Sequence, residues 1–309
     1  MHQKKLSIAD TVVVFIINAV LKLRGVRSTR AQGDAVFKVR DDLEKLAAVV
    51  SKVHQKASVS KDRIEGVSVE WIKFNSFNTG RVLLYSHGGG YVIGSPSSHR
   101  AMISQISWHM KATTIVPDYR LAPEHPYPAG LDDTYAVYRF LIENGTRPEN
   151  LIIAGDSAGG GMTLALLQRL KKEKMPMPAA VCCLSPWADL TQSGGSHISN
   201  DRNDYMLSKA LLSSFAGSYT NGADRQNSEI SPVAGDYSNM PPILIQVGTE
   251  EVLLDDSRKV AAASGAAGND VEIQEWHKMQ HVWQYNFRFL NSARKAIRAM
   301  GAFVDAKMG

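Results

Sequence analysis

Cysteine is nearly absent from this chain of 309 residues, no apolar run is long, and charge of neither sign is concentrated. Each absence excludes something. Cys182 and Cys183 are adjacent in an apolar run, where successive side chains of a strand point to opposite faces, so they cannot readily pair with each other. With no third cysteine, nothing calls for an oxidising compartment; both thiols read as buried fillers and the expected location is cytoplasmic. The longest apolar candidate, Thr11 to Leu23, follows Lys4-Lys5 as the core of a signal peptide would. It lacks a convincing small-x-small cleavage site, and Lys22 and Arg24 interrupt it before it could cross a bilayer. An apolar helix packed on the protein is expected, with no membrane span; a membrane-associated or cleaved segment is the alternative. The formal charge of +5, from 35 basic and 30 acidic residues, is too small and too scattered for a nucleic-acid partner. Its densest clusters, Lys4-Lys5 and Lys171-Lys172 with Lys174, carry no interleaved aromatics and read as solvated surface. His2, His54, His99, His109, His125 and His197 are scattered, and no cysteine or acidic cluster completes a metal site with them.

What the chain does have is 44% hydrophobic and 21% charged residues, enough for a large core in one big domain or two modest ones. There is no internal repeat. From Gly66 onward, β-branched and aromatic runs alternate with helical stretches, the signature of an α/β class built on a mostly parallel sheet. The expected strands are Val67–Phe74, Arg81–Ser86, Thr113–Pro117, Leu151–Ala154, Ala180–Leu184, Ile243–Val247 and Val271–Trp276. Helices are expected over Ser98–Lys111, Leu131–Asn144, Ala158–Lys174, Ser257–Ala267 and Trp283–Val304. Two pieces break the rhythm: residues 1–55, which read as wholly helical, and 187–228, polar and rich in Gly and Ser, with one short apolar helix over Leu207–Phe215. With no sheet partner, both are expected over the carboxyl edge of the sheet, where ligands bind. The expected division is an N-terminal helical cap at 1–55 and a main domain at 56–309, within which 187–228 contributes a second cap segment. Pro241-Pro242 marks the return to the sheet.

Gly155-Asp156-Ser157-Ala158-Gly159 matches G-x-S-x-G after an apolar strand and before a helix. Small residues two before and two after the serine let backbones approach closely at a sharp turn and leave the hydroxyl clear at its apex. A phosphate loop is excluded, since no Gly-Lys-Ser/Thr follows and no Gly-x-Gly-x-x-Gly can be drawn through the run. His87-Gly88-Gly89-Gly90-Tyr91 follows the strand Val82–Tyr85. Its glycines let amide hydrogens turn inward, and the amides of Gly88 and Gly89, with that of Ala158, are the expected oxyanion hole for attack on an ester carbonyl. His87 comes too early in the chain to be the base and is expected to hold the loop. The order serine, acid, histidine places the remaining partners after later strands. Glu250, Glu251, Asp255 and Asp256 compete for the first role and His277 and His281 for the second; spacing leaves both open.

Together with Asp118-Tyr-Arg-Leu-Ala-Pro-Glu124, Pro126, Pro128 and Ser185-Pro-Trp-Ala-Asp-Leu190, these strings closely resemble the bacterial hormone-sensitive-lipase family of esterases, in its GDSAG-bearing branch. The resemblance runs from about residue 66 to the C-terminus. It implies an α/β-hydrolase fold with a helical cap, acting without a cofactor on small-molecule esters of short to medium acyl chains, and a homodimer. It implies Glu251 as the acid, at the first position of a stretch where the family more often carries aspartate, and His281, which precedes a valine and an aromatic, as the base. Catalysis then rests on Ser157, Glu251 and His281. Tyr91, Trp187, Tyr205, Met206, Leu207 and Trp283, large residues beside the motifs or in the insertion, are candidates for lining the substrate pocket. Asp118, Arg120 and Glu124 are expected to be scaffolding. The same machinery could serve a lactone, an amide or an acetylated sugar or drug. A non-catalytic small-molecule receptor, as the plant gibberellin receptors resemble, and a lipase anchored by residues 11–23 are further alternatives.

Overall fold

Runs of Val, Ile, Leu and Cys with no polar face can only be satisfied between two layers of helices, and the computed structural model places them so. It describes residues 8–24, 35–50 and 52–309. The strands are β1 (Ala57–Ile64), β2 (Val67–Phe74), β3 (Val82–Ser86), β4 (Thr113–Pro117), β5 (Leu151–Asp156), β6 (Ala180–Leu184), β7 (Ile243–Gly248) and β8 (Val271–Trp276). The helices are α1 (Ile8–Arg24), α2 (Ala35–Val50), α3 (Pro96–Met110), α4 (Ala129–Glu143), α5 (Ala158–Lys172), α6 (Ser196–Ser199), α7 (Lys209–Thr220), α8 (Leu254–Ala266) and α9 (Asn291–Met308). The strands form one sheet in the order β1-β2-β4-β3-β5-β6-β7-β8. β2 is antiparallel to both neighbours, and the strands from β4 through β8 are parallel. Every residue of β5, β6 and β7 is buried. On one face, α3 and α9 pack through Met102, Ile103 and Ile106 against Ile297, Met300 and Phe303. The other face carries α4, α5 and α8, with Leu131, Leu164 and Val260 in a second cluster.

Three expectations need correction. β1 was not foreseen, because its sequence ASVSKDRI buries only Ile64 fully. It is an edge strand whose charges discourage further pairing, and its stability comes from full-length pairing to β2 through the Glu65-Gly66 turn, where φ is 49° and 82°. The expected helix Trp283–Val304 is two pieces, a short 3₁₀ turn at Trp283–Asn286 and then α9. The restart depends on a residue 281 positions earlier: Asp10 of α1 accepts from the amides of Asn291 (2.9 Å) and Ser292 (3.1 Å), a helix cap supplied from a remote segment. Finally, the short insertion helix begins two residues late, at Lys209, because Ser208 caps it by accepting from Leu211 N at 3.2 Å.

The N-terminal piece is held at the carboxyl edge of the sheet. Val13 and Val14 of α1 pack against a cluster containing Trp276, Met279, Trp283 and Leu290. Arg40 of α2 donates to the carbonyls of Val92 (2.7 Å) and Ala122 (2.6 Å) and pairs with Glu124, while Glu44 accepts from Ser95 and Ser97. α2 is therefore pinned to the loops after β3 and β4. The parts of the expected helical segment at 1–7, 25–34 and 51 lie outside the described residues. Among the described residues no helix is long and apolar enough to cross a membrane.

The remote cap generates a prediction. Asp10→Ala should lower stability by about 1–2 kcal/mol, read as a lower urea midpoint at unchanged slope. An unchanged midpoint would show that α9 does not depend on α1.

Candidate active site

The turn from β5 into α5 is the tightest point of the structure. Ser157 at its apex has φ 54° and ψ −123°, a conformation that a side-chain-bearing residue adopts only when its surroundings impose it. Ser157 N donates to Leu184 O (2.8 Å), and Trp187 N donates to Ser157 O (2.9 Å), so the end of β6 and the loop after it hold the turn. A Cβ on Gly159 would lie 2.0 Å from Ser86 O and 2.5 Å from His87 O; one on Gly155 would lie 2.2 Å from Gly159 O. The glycines at both positions are thus demanded by contact with β3 and with each other.

Ser157 Oγ lies 2.9 Å from His281 Nε2, and His281 Nδ1 lies 2.9 Å from Glu251 Oε2. All three side chains are buried or nearly so. Glu251 Oε1 accepts from Ser185 Oγ (2.8 Å) and Gly248 N (2.5 Å), and Ser185 Oγ in turn accepts from Val282 N at 3.2 Å. Burial alone would pull the imidazole pKa down. The hydrogen bond and charge of Glu251 outweigh it, with Asp204 and Asp156 adding to them, and hold His281 above its ordinary value of 6.5. Two of the competing carboxylates, Asp255 and Asp256, are engaged elsewhere. Asp256 pairs with His197 at 2.8 Å and accepts from the amides of Ala188 and Asp189. Asp255 accepts from Ser196 N and meets Arg258 at 3.4 Å. His277, the other candidate base, is only half-buried.

At the glycine loop one expectation fails. Gly88 N donates to Asp156 Oδ1 and to His99 Nε2, each at 3.2 Å, so it is not free to serve as an oxyanion donor. Among the described residues no protein acceptor takes the amides of Gly89 or Gly90, and Ala158 N, at the first position of α5, has no intrahelical partner. Asp156 is the residue that sequence reasoning passed over. It occupies the variable position of the serine motif and is buried, and it also accepts from Tyr85 OH at 2.9 Å. Burial pushes its carboxyl upward, but His99 and Tyr85 hold it below the ordinary value. His87 does hold the loop: Nδ1 donates to Gly88 O at 2.8 Å and the ring stacks on Tyr119 at 4.2 Å. Burial pushes this ring down to about 3, which keeps it neutral.

The candidate pocket residues divide. Trp187 and Trp283 are buried in packed clusters, and Tyr91 is buried with its ring stacked on Tyr219 at 3.9 Å. These three are core residues, because large rings next to the motifs are the ones the crowded loops enclose first. Tyr205, Met206 and Leu207 remain half-buried. Phe215 of α7 was not foreseen: a Cβ on Gly90 would lie 2.3 Å from its ring, so α7 lies directly over the glycine loop. Arg120 pairs with Asp133 (2.8 Å) and Glu124 with Arg40, as scaffolding requires, while Asp118 is exposed.

Residues 83–285 match the profile of a family described by the α/β hydrolase fold. An acetyl-hydrolase of Streptomyces hygroscopicus is 42% identical over 242 residues, covering 78% of this chain and 81% of that protein. An esterase of Acinetobacter venetianus is 34% identical over 245 residues, covering 79% of this chain and 80% of its own. Among solved structures, an esterase from the bacterial hormone-sensitive lipase family superposes with a TM-score of 0.88 at 35% identity, covering 99% of this chain and 100% of that one.

Gly159→Ala tests the turn. The added methyl should cost about 3 kcal/mol or more, beyond ordinary overpacking, because it meets backbone rather than a side chain that can rotate. A variant with the parent's midpoint and activity would mean that the approach of α5 to β3 is looser than described.

Proposed function

Since the chain belongs to the α/β hydrolase fold family, among carboxylesterases related to the bacterial hormone-sensitive lipases, we propose that it cleaves esters of short to medium acyl chains through a Ser157–His281–Glu251 triad. The observation that carries this reading is the continuous hydrogen-bond chain from Ser157 Oγ through His281 to Glu251, with both links at 2.9 Å. Donation from Nδ1 to Glu251 leaves Nε2 as the acceptor, the tautomer a general base needs. Ser157 Oγ attacks the ester carbonyl carbon as its proton passes to Nε2, and the carbonyl oxygen becomes an oxyanion facing the amides of Gly89, Gly90 and Ala158. The α5 amide end favours the same charge. The tetrahedral adduct collapses as His281 returns the proton to the departing alcohol, leaving an acyl-Ser157. A water deprotonated by His281 then releases the acid and restores the hydroxyl.

The carboxylate of Glu251 sustains the imidazolium that forms in both halves. In this reading α1 and α2, with residues 187–228, form a composite cap over the carboxyl edge. Phe215 above Gly90, with the half-buried Met206 and Leu207, bounds the acyl side and supports a limit on chain length. The GDSAG string supports the branch named for it.

Ser157→Ala and His281→Ala should each reduce kcat roughly 10³-fold or more. Among the four acids, Glu251→Ala should show a comparable loss, while Glu250→Ala and Asp255→Ala keep most activity; an inactive Glu250→Ala beside a fully active Glu251→Ala would contradict the triad. The base must be neutral to act, so kcat/KM should fall on the acid side with a midpoint above 6.5, the ordinary value from which His281 is raised. Across p-nitrophenyl esters of rising chain length, a lactone and an amide, kcat/KM should be greatest on a short or medium ester. A higher value on the amide or lactone would overturn the substrate reading.

A further inference from the structure

Asp204 lies in the turn between α6 and α7, fully buried and outside the triad. Its carboxylate accepts three backbone amides. Oδ1 takes those of Met206 and Leu207, each at 2.9 Å, closing a tight turn, and Oδ2 reaches Val252 N at 3.1 Å, the residue directly after Glu251. A second link joins the same segment to the other triad loop: Gln280, directly before His281, accepts from Tyr205 N (2.9 Å) and donates to Asn203 O (3.0 Å). Asn200 adds a third, donating to the carbonyls of Thr249 (3.1 Å) and Glu251 (2.8 Å). The neighbours of Glu251 and of His281 are therefore bound to one short stretch, 200–207, which also carries Met206 and Leu207.

Three amide bonds do not by themselves require a carboxylate. Among the described residues Asp204 makes no ion pair, and a buried charge without one is costly to keep. The positive charge its field meets is that of His281. We propose that Asp204 is a positioning residue for ester hydrolysis: it locks the Met206–Leu207 turn to the Glu251 loop, and its negative charge steadies the imidazolium of His281 through space. This rests on the triad reading above. Among the described residues, the charged groups that act most strongly on His281 are Glu251, Asp204 and Asp156, and those that act most strongly on Asp204 are His281 and Glu251. Burial pushes the Asp204 carboxyl up to about 6, against the pull of His281 and of the Leu207 and Val252 amides. It is thus ionised at neutral pH and loses its charge as pH falls through that value.

Asp204→Asn and Asp204→Ser are neutral replacements that keep an acceptor oxygen, and whichever retains the parent's near-UV circular dichroism carries the test. On a p-nitrophenyl ester the expected result is kcat lower by about tenfold, KM within about twofold, and the acid limb of kcat/KM moved to lower pH by about half a unit or more, because His281 loses one of its supporting charges. Gln280→Ala, which cuts the parallel link but leaves every charge in place, should raise KM without moving that limb. An unmoved limb in the folded Asp204 variant, or an equal shift in Gln280→Ala, would overturn the proposal. Glu251→Gln run alongside separates the two readings. If its limb also stays put, the triad fails and the role of Asp204 with it; if it moves while that of the Asp204 variants does not, only the role of Asp204 fails.

Discussion

The approach of two backbones governs the site. The β5 to α5 turn presses against the end of β3 so closely that Gly159 has no room for a methyl group beside Ser86 O. That contact forces Ser157 into a left-handed conformation, lifts its hydroxyl above the sheet and brings the amide of Ala158 beside the glycine loop that β3 feeds. Strain of about 1–3 kcal/mol at such a residue persists only where the surroundings over-determine it. Here they do, through Leu184, Trp187 and the hydrogen bond that Asp156 accepts from the glycine loop.

Around this turn the electrostatics are those of buried carboxylates, each satisfied differently. Asp156 is held beneath the loop by Tyr85, His99 and Gly88 N. Asp256 is tied to His197 and to two amides of the loop after β6. Glu251 receives Ser185, Gly248 and His281, and Asp204 receives three amides. A buried carboxylate is costly unless hydrogen-bonded, so each rigidifies the loops that satisfy it. The loops after β6, β7 and β8 consequently behave as one assembly, against which α1 rests by an apolar contact and a remote helix cap, while the Arg40 clamp ties α2 to the loops after β3 and β4. Esterase relatives share this fold over nearly the whole chain.

Most of the sheet was legible because its central strands are apolar on both faces, a pattern that needs no knowledge of the partner. β1 was not, since an edge strand with Lys61, Asp62 and Arg63 draws its stability from β2 rather than from its own composition. Nor was the break before α9, whose cap comes from Asp10 at the other end of the chain. Ser157 was legible from a motif in its strand and helix context. The choice among Glu250, Glu251, Asp255 and Asp256 was not legible from spacing and needed the family resemblance; only the folded loops show that Asp255 and Asp256 are tied to the insertion. The assignment of Gly88 failed because a glycine string does not say which amides turn inward, and Asp156, inside the same serine motif, is what takes that amide away. Trp187 and Trp283 show the same limit in another form, since a large ring beside a motif is as well suited to filling a core as to lining a pocket.

Every step of the proposed chemistry begins with one hydroxyl, and covalent labelling tests it most directly. Treatment with a sulfonyl fluoride or an organophosphate, followed by peptide mapping, should abolish ester hydrolysis with a single adduct on Ser157. An adduct on any other residue in the inactivated protein, or full activity with Ser157 modified, would contradict the account.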